Sequence, residues 1–329
     1  MVLLFALLAA AILGASGWAW RLYERPLSLA AERVEFRIMP GASARAVARQ
    51  LRSSGVDIDE FVFVAAARTA GITQSLRAGR YELPRGATLH QLLDKLRAGE
   101  TLRERITLIE GWTLRDLRAA LAAHPELKHD SAALTEADLL KAIGADEARA
   151  EGLFAPDTYV FDAGASDLDV LRQAYRAQAE RLRQAWDGRA PGLPFASPYH
   201  ALIMASIVEK ETGLADERAR IAAVFVNRLQ RGMPLQTDPT VIYGLGESFD
   251  GNLRKRDLLA DGPYNTYTRA GLPPTPIALA GRAAIEATLR PERTRDLYFV
   301  ARGDGSSEFS ETLEQHNRAV TKYQLGGRR

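Results

Sequence analysis

The sequence predicts an α+β protein. A strand–turn–helix pattern occurs three times between residues 36 and 121, a largely helical stretch runs from 130 to 231, and a hairpin pattern lies near the C-terminus. These strands and helices alternate without the regularity of a doubly wound sheet, so helices combined with small, separate sheets are expected.

Composition indicates an ordinary globular protein of more than one domain. The chain has 329 residues, of which 47% are hydrophobic and 26% are charged. Its formal net charge of +2 gives no electrostatic reason to expect nucleic-acid binding. The absence of cysteine excludes disulfides, thiolate zinc sites and cysteine nucleophiles. The histidines are scattered and no dinucleotide-binding glycine motif is present, so neither a metal nor a cofactor is expected.

The N-terminus predicts a membrane anchor over residues 1–23. The stretch from Val2 to Trp20 is uncharged and long enough to cross a bilayer as a helix, and Tyr23 suits the interface. A cleaved signal peptide would carry a basic segment before the apolar run, and a buried core helix is the other alternative. Positive charge follows the span and none precedes it, which favours a cytoplasmic location for the rest of the chain.

The repeated pattern covers 36–51, 81–96 and 106–121. Each copy reads as a short strand, a turn with glycine, a hydroxyl residue and an amphipathic helix. The turn glycines and expected N-caps are Gly41 and Ser43, Gly86 and Thr88, and Gly111 and Thr113. Thr88 and Gln91 have the spacing of a capping box. Such units are too small to be stable alone, so the three are expected to pack together.

The second half of the chain is predicted to be mainly helical, with one hairpin. The expected elements are a helix over 167–186, helices through 200–231, a hairpin over 297–310 and a last helix over 311–323.

The stretch "LIMASIVEKETG", residues 202–213, places two carboxylates at the end of an apolar helix. Glu209 and Glu211 lie about 200° apart on a helical wheel, so they cannot share a face. Glu211 shares its stripe with apolar residues such as Val208, where desolvation raises a carboxyl pKa as a general acid requires. Glu209 is interpreted as a supporting or solvated residue. The alternative is that both are surface charges at a helix end.

Several long segments resemble the YceG-like (MltG) endolytic murein transglycosylases, in that family's order. They are "IMASIVEKETG" (203–213), "RIAAVFVNRL" (220–229), "LQTDPTVIYGLG" (235–246) and "YNTYTRAGLPPTPI" (264–277), with "EGLFAPDTY" (151–159) upstream and "LEQHN" (313–317) downstream. The resemblance covers nearly the whole chain. The family has a glutamate followed by a hydroxyl residue at the end of an apolar helix, which here is Glu211-Thr212.

The resemblance implies a lytic transglycosylase that cuts the bond between N-acetylmuramic acid and N-acetylglucosamine in nascent glycan strands and so terminates their elongation. Glu211 would protonate the glycosidic oxygen and then, as a carboxylate, take the C6 hydroxyl proton as a 1,6-anhydro end forms. The resemblance also implies a LysM-like subdomain over 33–102 and a catalytic domain over 103–329. The implied location is the periplasmic side of the inner membrane, against the flanking charges. The implied partners are peptidoglycan strands, the cytoplasmic membrane and peptidoglycan synthases.

The residues expected to bind substrate combine hydroxyls, amides, carboxylates and aromatic faces, which suit sugars. They are Glu209, Gln236, Thr237, Asp238, Tyr243, Asn265 and Tyr267. Without the resemblance, such residues are equally well explained as turn formers and half-buried packing tyrosines. His316 and Asn317 are expected to be a structural pair on the last helix.

Two other functions stay open at this point. A hydrolytic muramidase would use water and a second carboxylate, such as Asp238 or Glu209. A non-catalytic wall-binding or division scaffold would keep the groove without cutting, although the presence of Glu211 within its whole flanking segment argues against it.

Overall fold

The chain forms two compact units. The computed structural model describes residues 20, 21, 23–39, 41–73, 76–211 and 214–325. One unit is Met1–Arg105 with Val160–Ala165, and the other is Ile106–Tyr159 with Ser166–Arg329. Most of the predicted anchor, 1–19 and 22, lies outside the described residues. Within the described ranges, no helix combines the length and the apolar character needed to cross a membrane.

The first unit combines short antiparallel strand pairs with helices. Strand β1 (Ser28–Leu29) pairs with β3 (Val56–Asp57), and β2 (Arg33–Ile38) pairs with β4 (Gly79–Pro84). The helices of this unit are α1 (Ala44–Ser53), α2 (Glu60–Thr69) and α3 (Leu89–Ala98).

The first two predicted repeats fold as expected and share one hydrophobic core. Every second residue of β2 is buried, ending at Ile38, because successive side chains of a strand point to opposite faces. These residues pack with the apolar faces of α1 and α3. Ser43 caps α1, and Thr88 caps α3 with Gln91 in a complete capping box. Gly86 has a φ of +87°, a conformation that favours glycine in this turn.

The third repeat is arranged differently from the expectation that all three pack together. Its strand β5 (Arg103–Thr107) pairs with β6 (Thr158–Asp162), and its helix α4 (Leu114–Ala123) belongs to the second unit. The local features are as predicted, since Thr113 caps α4 in a capping box. Local signals therefore define the strand and the helix, whereas the partner of β5 lies far away in the sequence.

The second unit is mainly helical, and the protein as a whole mixes α and β structure. Its helices are α4, α5 (Glu136–Ile143), α6 (Asp167–Asp187), α7 (Pro198–Glu211), α8 (Arg218–Gln230), α9 (Asp238–Leu245), α10 (Lys255–Leu259), α11 (Arg282–Leu289) and α12 (Leu313–Val320). The predicted hairpin is confirmed, because β7 (Tyr298–Ala301) pairs antiparallel with β8 (Ser307–Ser310).

The middle of helix α7 is buried. Every residue from Ala201 to Val208 is buried, and α8 and α11 pack against the helix. Ser206 lies within this core, where its hydroxyl donates to the Ile203 carbonyl at 2.7 Å and accepts the Ile277 N–H at 2.9 Å. The single apolar stripe expected from the helical wheel is therefore too simple. Contacts outside the helix distinguish its two terminal glutamates.

Candidate active site

Glu211 is the last residue of α7, and its carboxyl is largely removed from water. Burial raises its pKa, the negative charge of Asp238 raises it further, and a hydrogen bond from Thr237 opposes both. The predicted direction of the pKa shift is confirmed. Glu211 therefore keeps its proton to a higher pH than an exposed glutamate does, as a general acid requires. Thr212, which follows it in the family's motif, lies outside the described residues.

Thr237 holds the Glu211 carboxyl through a side-chain hydrogen bond. Its Oγ1 donates to Glu211 Oε1. The Thr237 N–H donates to Thr266 Oγ1 at 3.1 Å, and Thr240 Oγ1 donates to the Thr237 carbonyl at 2.8 Å. These threonines are all buried, so the network sets the position of Thr237. Because the threonine proton is donated to Oε1, an acidic proton on Glu211 resides on Oε2.

A strained loop from Pro234 to Gln236 precedes Thr237. Gln236 has a φ of +51°. Among the described residues, it is the only non-glycine residue with a positive φ. Such a conformation costs about 1 kcal/mol or more and persists only where surrounding contacts enforce it. Arg228 of α8 supplies those contacts. Its Nη1 donates to the carbonyls of Pro234 (3.2 Å) and Leu235 (2.9 Å) and to Gln236 Oε1 (3.2 Å).

Asp238 and Tyr267 form a second polar pair near Glu211. Tyr267 Oη donates to Asp238 Oδ1 at 2.5 Å. Burial raises the Tyr267 pKa first, and the neighbouring Asp238 and Glu211 raise it further. Tyr267 therefore stays protonated at neutral pH and acts as a hydrogen-bond donor, while Asp238 supplies negative charge beside the acid.

These groups line one cleft of about 640 Å³ in the second unit. Its walls come from α7, α8, the 235–238 loop, β7 and α12, and they combine aromatic faces with hydroxyl, amide and charged groups. The residues that define it are Glu211, Phe225, Arg228, Leu235, Gln236, Asp238, Tyr267, Tyr298, Phe299, Val300, Ala301, Leu313, His316, Asn317, Val320 and Gln324. Of the predicted site residues, the structure brings Glu211, Gln236, Asp238 and Tyr267 together here, with Thr237 directly behind Glu211.

Glu209 lies on another face of α7 and does not line this cleft. Its Oε2 accepts the Gly281 N–H at 2.9 Å just before α11, and burial raises its pKa. The expected supporting role fits this contact, whereas the alternative of a solvated side chain is wrong, because the residue is half-buried and hydrogen-bonded. Its contact with substrate stays a prediction.

Tyr243 and Asn265 also lie outside the walls of the cleft. Tyr243 Oη donates to the buried carboxyl of Glu151 at 3.0 Å. The Asn265 amide caps the end of α10, donating to the Ala260 carbonyl at 2.7 Å, and its Oδ1 accepts the Tyr267 N–H at 2.9 Å. Asn265 thus positions Tyr267, and substrate contact by Tyr243 and Asn265 stays a prediction.

Helix α12 forms a wall of the cleft that the sequence did not predict. His316 and Asn317, expected to be a structural pair, line the cleft, and the His316 ring stacks on Tyr298 with centroids 5.2 Å apart. The guanidinium carbon of Arg228 lies 5.0 Å from the centroid of the same Tyr298 ring. Arg228 is 7% exposed. The sequence contains one indication of this buried charge: Arg228 is the only cation in the apolar segment "IAAVFVNRL", residues 221–229.

Comparison with known proteins identifies the family. The model of the YceG-like family matches residues 36–322. An endolytic murein transglycosylase of Bacillus subtilis (strain 168) is 34% identical over 307 residues, which are 88% of this chain and 84% of that protein. One from Streptococcus pneumoniae serotype 2 (strain D39 / NCTC 7466) is 26% identical over 331 residues, with 87% of this chain and 57% of that protein covered.

The fold has a solved counterpart. A crystal structure of a yceG-like protein from Listeria monocytogenes is 31% identical, with a TM-score of 0.54, and the match covers 87% of this chain and 98% of that chain. The family model spans most of the sequence, and the Bacillus relative matches at 34% identity over most of both chains. This chain therefore belongs to the YceG-like family.

Proposed function

We propose that this protein is an endolytic murein transglycosylase. The observation that carries the proposal is Glu211, a desolvated carboxyl with a raised pKa that lines a polar and aromatic cleft. Relatives that match over most of this chain have this activity in their names. The reaction needs one group that is an acid first and a base afterwards, and Glu211 is placed for both steps.

The reaction balances with a single proton on Glu211. Protonated Oε2 gives its proton to the glycosidic oxygen, and the bond from C1 of N-acetylmuramic acid to that oxygen breaks, which releases the N-acetylglucosamine hydroxyl. The C6 oxygen of the same muramic residue then bonds to C1, and its proton passes to Glu211. The 1,6-anhydro ring forms, the enzyme regains its starting state and no water is consumed.

The surroundings of Glu211 support this order of events. The Thr237 hydroxyl remains a donor to Oε1 and stabilises the carboxylate once the proton has left. Burial and Asp238 favour the protonated form before the reaction and after it. Burial and Asp238 therefore favour the acid form of Glu211, and the Thr237 hydrogen bond favours its carboxylate form.

A hydrolytic muramidase is the second candidate, and Asp238 is the observation that favours it. A hydrolase of this kind uses a second carboxylate to activate water or to attack the sugar. Asp238 lines the cleft with Glu211, although its Oδ1 is engaged by Tyr267. Glu209 is a poorer second carboxylate, because it is held by Gly281 away from the cleft.

The site of action follows from the proposed substrate. We place the catalytic unit on the outer face of the cytoplasmic membrane, anchored by residues 1–23, where it cuts nascent strands beside peptidoglycan synthases and ends their elongation. The strand–helix repeats of the first unit act as a LysM-like module that binds or orients glycan. The uncharged stretch from Val2 to Trp20 and the paired β2 and β4 strands with their helices support these assignments.

Product analysis tests the proposed activity. The full-length protein is incubated with purified glycan strands in water enriched in the heavy oxygen isotope, and the products are analysed by mass spectrometry. We expect 1,6-anhydro ends that contain no heavy oxygen. Reducing ends that carry the label would establish hydrolysis instead, and unchanged strands would reject both enzymatic functions.

A further inference from the structure

Arg228 is a buried cation without a carboxylate partner. It projects from α8 into the wall of the cleft, and the structure records no salt bridge to it from the residues it describes. Arg220, two turns earlier on the same helix, shows the usual arrangement, since its Nε bonds Asp296 Oδ2 at 2.8 Å. A buried charge normally has such a partner, because desolvation without compensation is costly.

The partners of Arg228 are neutral, and they bond to Nε and Nη1 of the guanidinium. Nε donates to the Leu297 carbonyl at 2.6 Å, and Nη1 donates to the loop carbonyls and to Gln236 Oε1. Nη2 makes no hydrogen bond to any described residue, and it is not among the buried polar atoms that lack a partner. Because Arg228 lines the cleft and Nη2 bonds no described residue, the Nη2 donors are available to a ligand that binds there.

Among the described residues, no charged group of the cleft forms an ion pair with Arg228. The Asp238 carboxylate accepts a hydrogen bond from the Tyr267 hydroxyl, and burial raises the pKa of Glu211. His316 adds no positive charge at neutral pH, because burial and Arg228 both lower its pKa. Among the described residues that line the cleft, Arg228 is therefore a cation with an unused donor group, in the same cleft as Glu211.

The geometry points to Arg228 as a subsite for a carboxylate carried by the substrate. This inference rests on the proposed function and specifies the ligand further: peptides attached to the muramic lactyl group have free carboxylates, which neutral glycan lacks. A carboxylate can accept a charge-assisted hydrogen bond from Nη2 and would complete the missing ion pair. Arg228 would thus select peptide-bearing strands, in addition to holding the loop in front of Thr237.

The test combines a change in the ligand with a change in the protein. Glycan strands bearing peptides with free carboxylates are compared with the same strands after carbodiimide amidation. Their binding is measured to full-length E211Q and to the double variant E211Q/R228Q. We expect amidation to weaken binding about tenfold or more when Arg228 is present, and to have little effect in the R228Q background. R228K, which keeps the charge, should recover part of the preference.

Controls separate this role from loop positioning and from the proposed function itself. Arg293, an exposed cation outside this cleft, serves as the matched control, and R293Q should keep the full preference. If R228Q weakens binding equally for both kinds of strand, or if amidation has no effect on E211Q, the carboxylate subsite is rejected. Binding does not require cleavage, so a wild-type protein that makes no anhydro ends would reject the proposed activity without deciding the subsite.

Discussion

The Thr237 hydroxyl donates a hydrogen bond to Glu211 Oε1. The two residues lie on different elements, α7 and the start of α9, and a buried network with Thr240 and Thr266 keeps them together. The bond lowers the Glu211 pKa, while burial and Asp238 raise it. The acidity of Glu211 is therefore set by identifiable neighbours, each of which can be changed separately.

Replacing Glu211 should abolish cleavage while the corresponding change at Glu209 should not. E211Q removes the transferable proton, and we expect the rate of anhydro-end formation to fall roughly 10²- to 10⁴-fold. E209Q keeps an oxygen that accepts the Gly281 N–H, so most activity should remain. Both variants are assayed by release of anhydro products, with circular dichroism as the check on folding. Equal losses in the two variants would contradict the assignment of Glu211 as the acid.

Removing the Thr237 hydroxyl should shift the pH dependence upward. T237V deletes the donor that stabilises the Glu211 carboxylate, so the Glu211 pKa rises and the alkaline limb of kcat/KM moves to higher pH. The maximal rate should fall about tenfold, because the carboxylate formed during the reaction loses its hydrogen bond. T237S keeps the hydroxyl and should retain the wild-type pH profile. A T237V profile identical to that of T237S would show that the bond does not tune the acid.

Neutralising Asp238 should shift the alkaline limb of the kcat/KM profile to lower pH, opposite to the shift expected for T237V. The carboxylate of Asp238 raises the Glu211 pKa, so D238N lowers it and moves the alkaline limb of kcat/KM to lower pH. The Tyr267 hydroxyl can still donate to the asparagine oxygen, which keeps the local geometry. The pH profile and the product ends are measured together. D238N that still forms anhydro ends supports the single-carboxylate mechanism, whereas complete loss of cleavage would favour Asp238 as a second catalytic carboxylate.

Glu151 should make the protein less stable as pH rises. Burial raises its pKa from 4.5 to about 7, and its oxygens accept the Leu114 N–H at 2.9 Å and the Tyr243 hydroxyl at 3.0 Å. At low pH, Glu151 is protonated in both the folded and the unfolded state. Between pH 4.5 and about 7 only the unfolded state loses the proton, so the free energy of unfolding falls, and it levels off above that range.

The variant E151Q isolates the contribution of Glu151 ionisation to the free energy of unfolding. E151Q cannot ionise, so its free energy of unfolding should lack this decline; its Oε1 can accept the Leu114 N–H while its amide NH2 donates to the Tyr243 hydroxyl oxygen. At pH 8 it should exceed the wild-type value by on the order of 2–3 kcal/mol. Urea unfolding of both proteins from pH 4 to pH 8 measures the difference. A constant difference across that range would contradict a buried, proton-binding Glu151.

Local sequence signals determined much of what the structure contains. Thr88 and Thr113 begin helices because their side chains satisfy free N–H groups of the first turn, and the hairpin predicted over 297–310 forms from β7 and β8. Helical geometry predicts a raised pKa for Glu211, and burial raises it. The motif around it pointed to one family, and the family model matches.

Tertiary structure decided the contacts that tune the site. No local pattern states that Thr237 donates to Glu211, that Glu209 is held by Gly281, or that β5 pairs with β6. Arg228 and His316 meet at Tyr298 although they come from separate helices. Hydrogen-bond propensity and periodicity act over a few neighbouring residues. The acidity of one carboxyl depends on burial and charge supplied by residues far apart in the chain, so only the folded arrangement determines it.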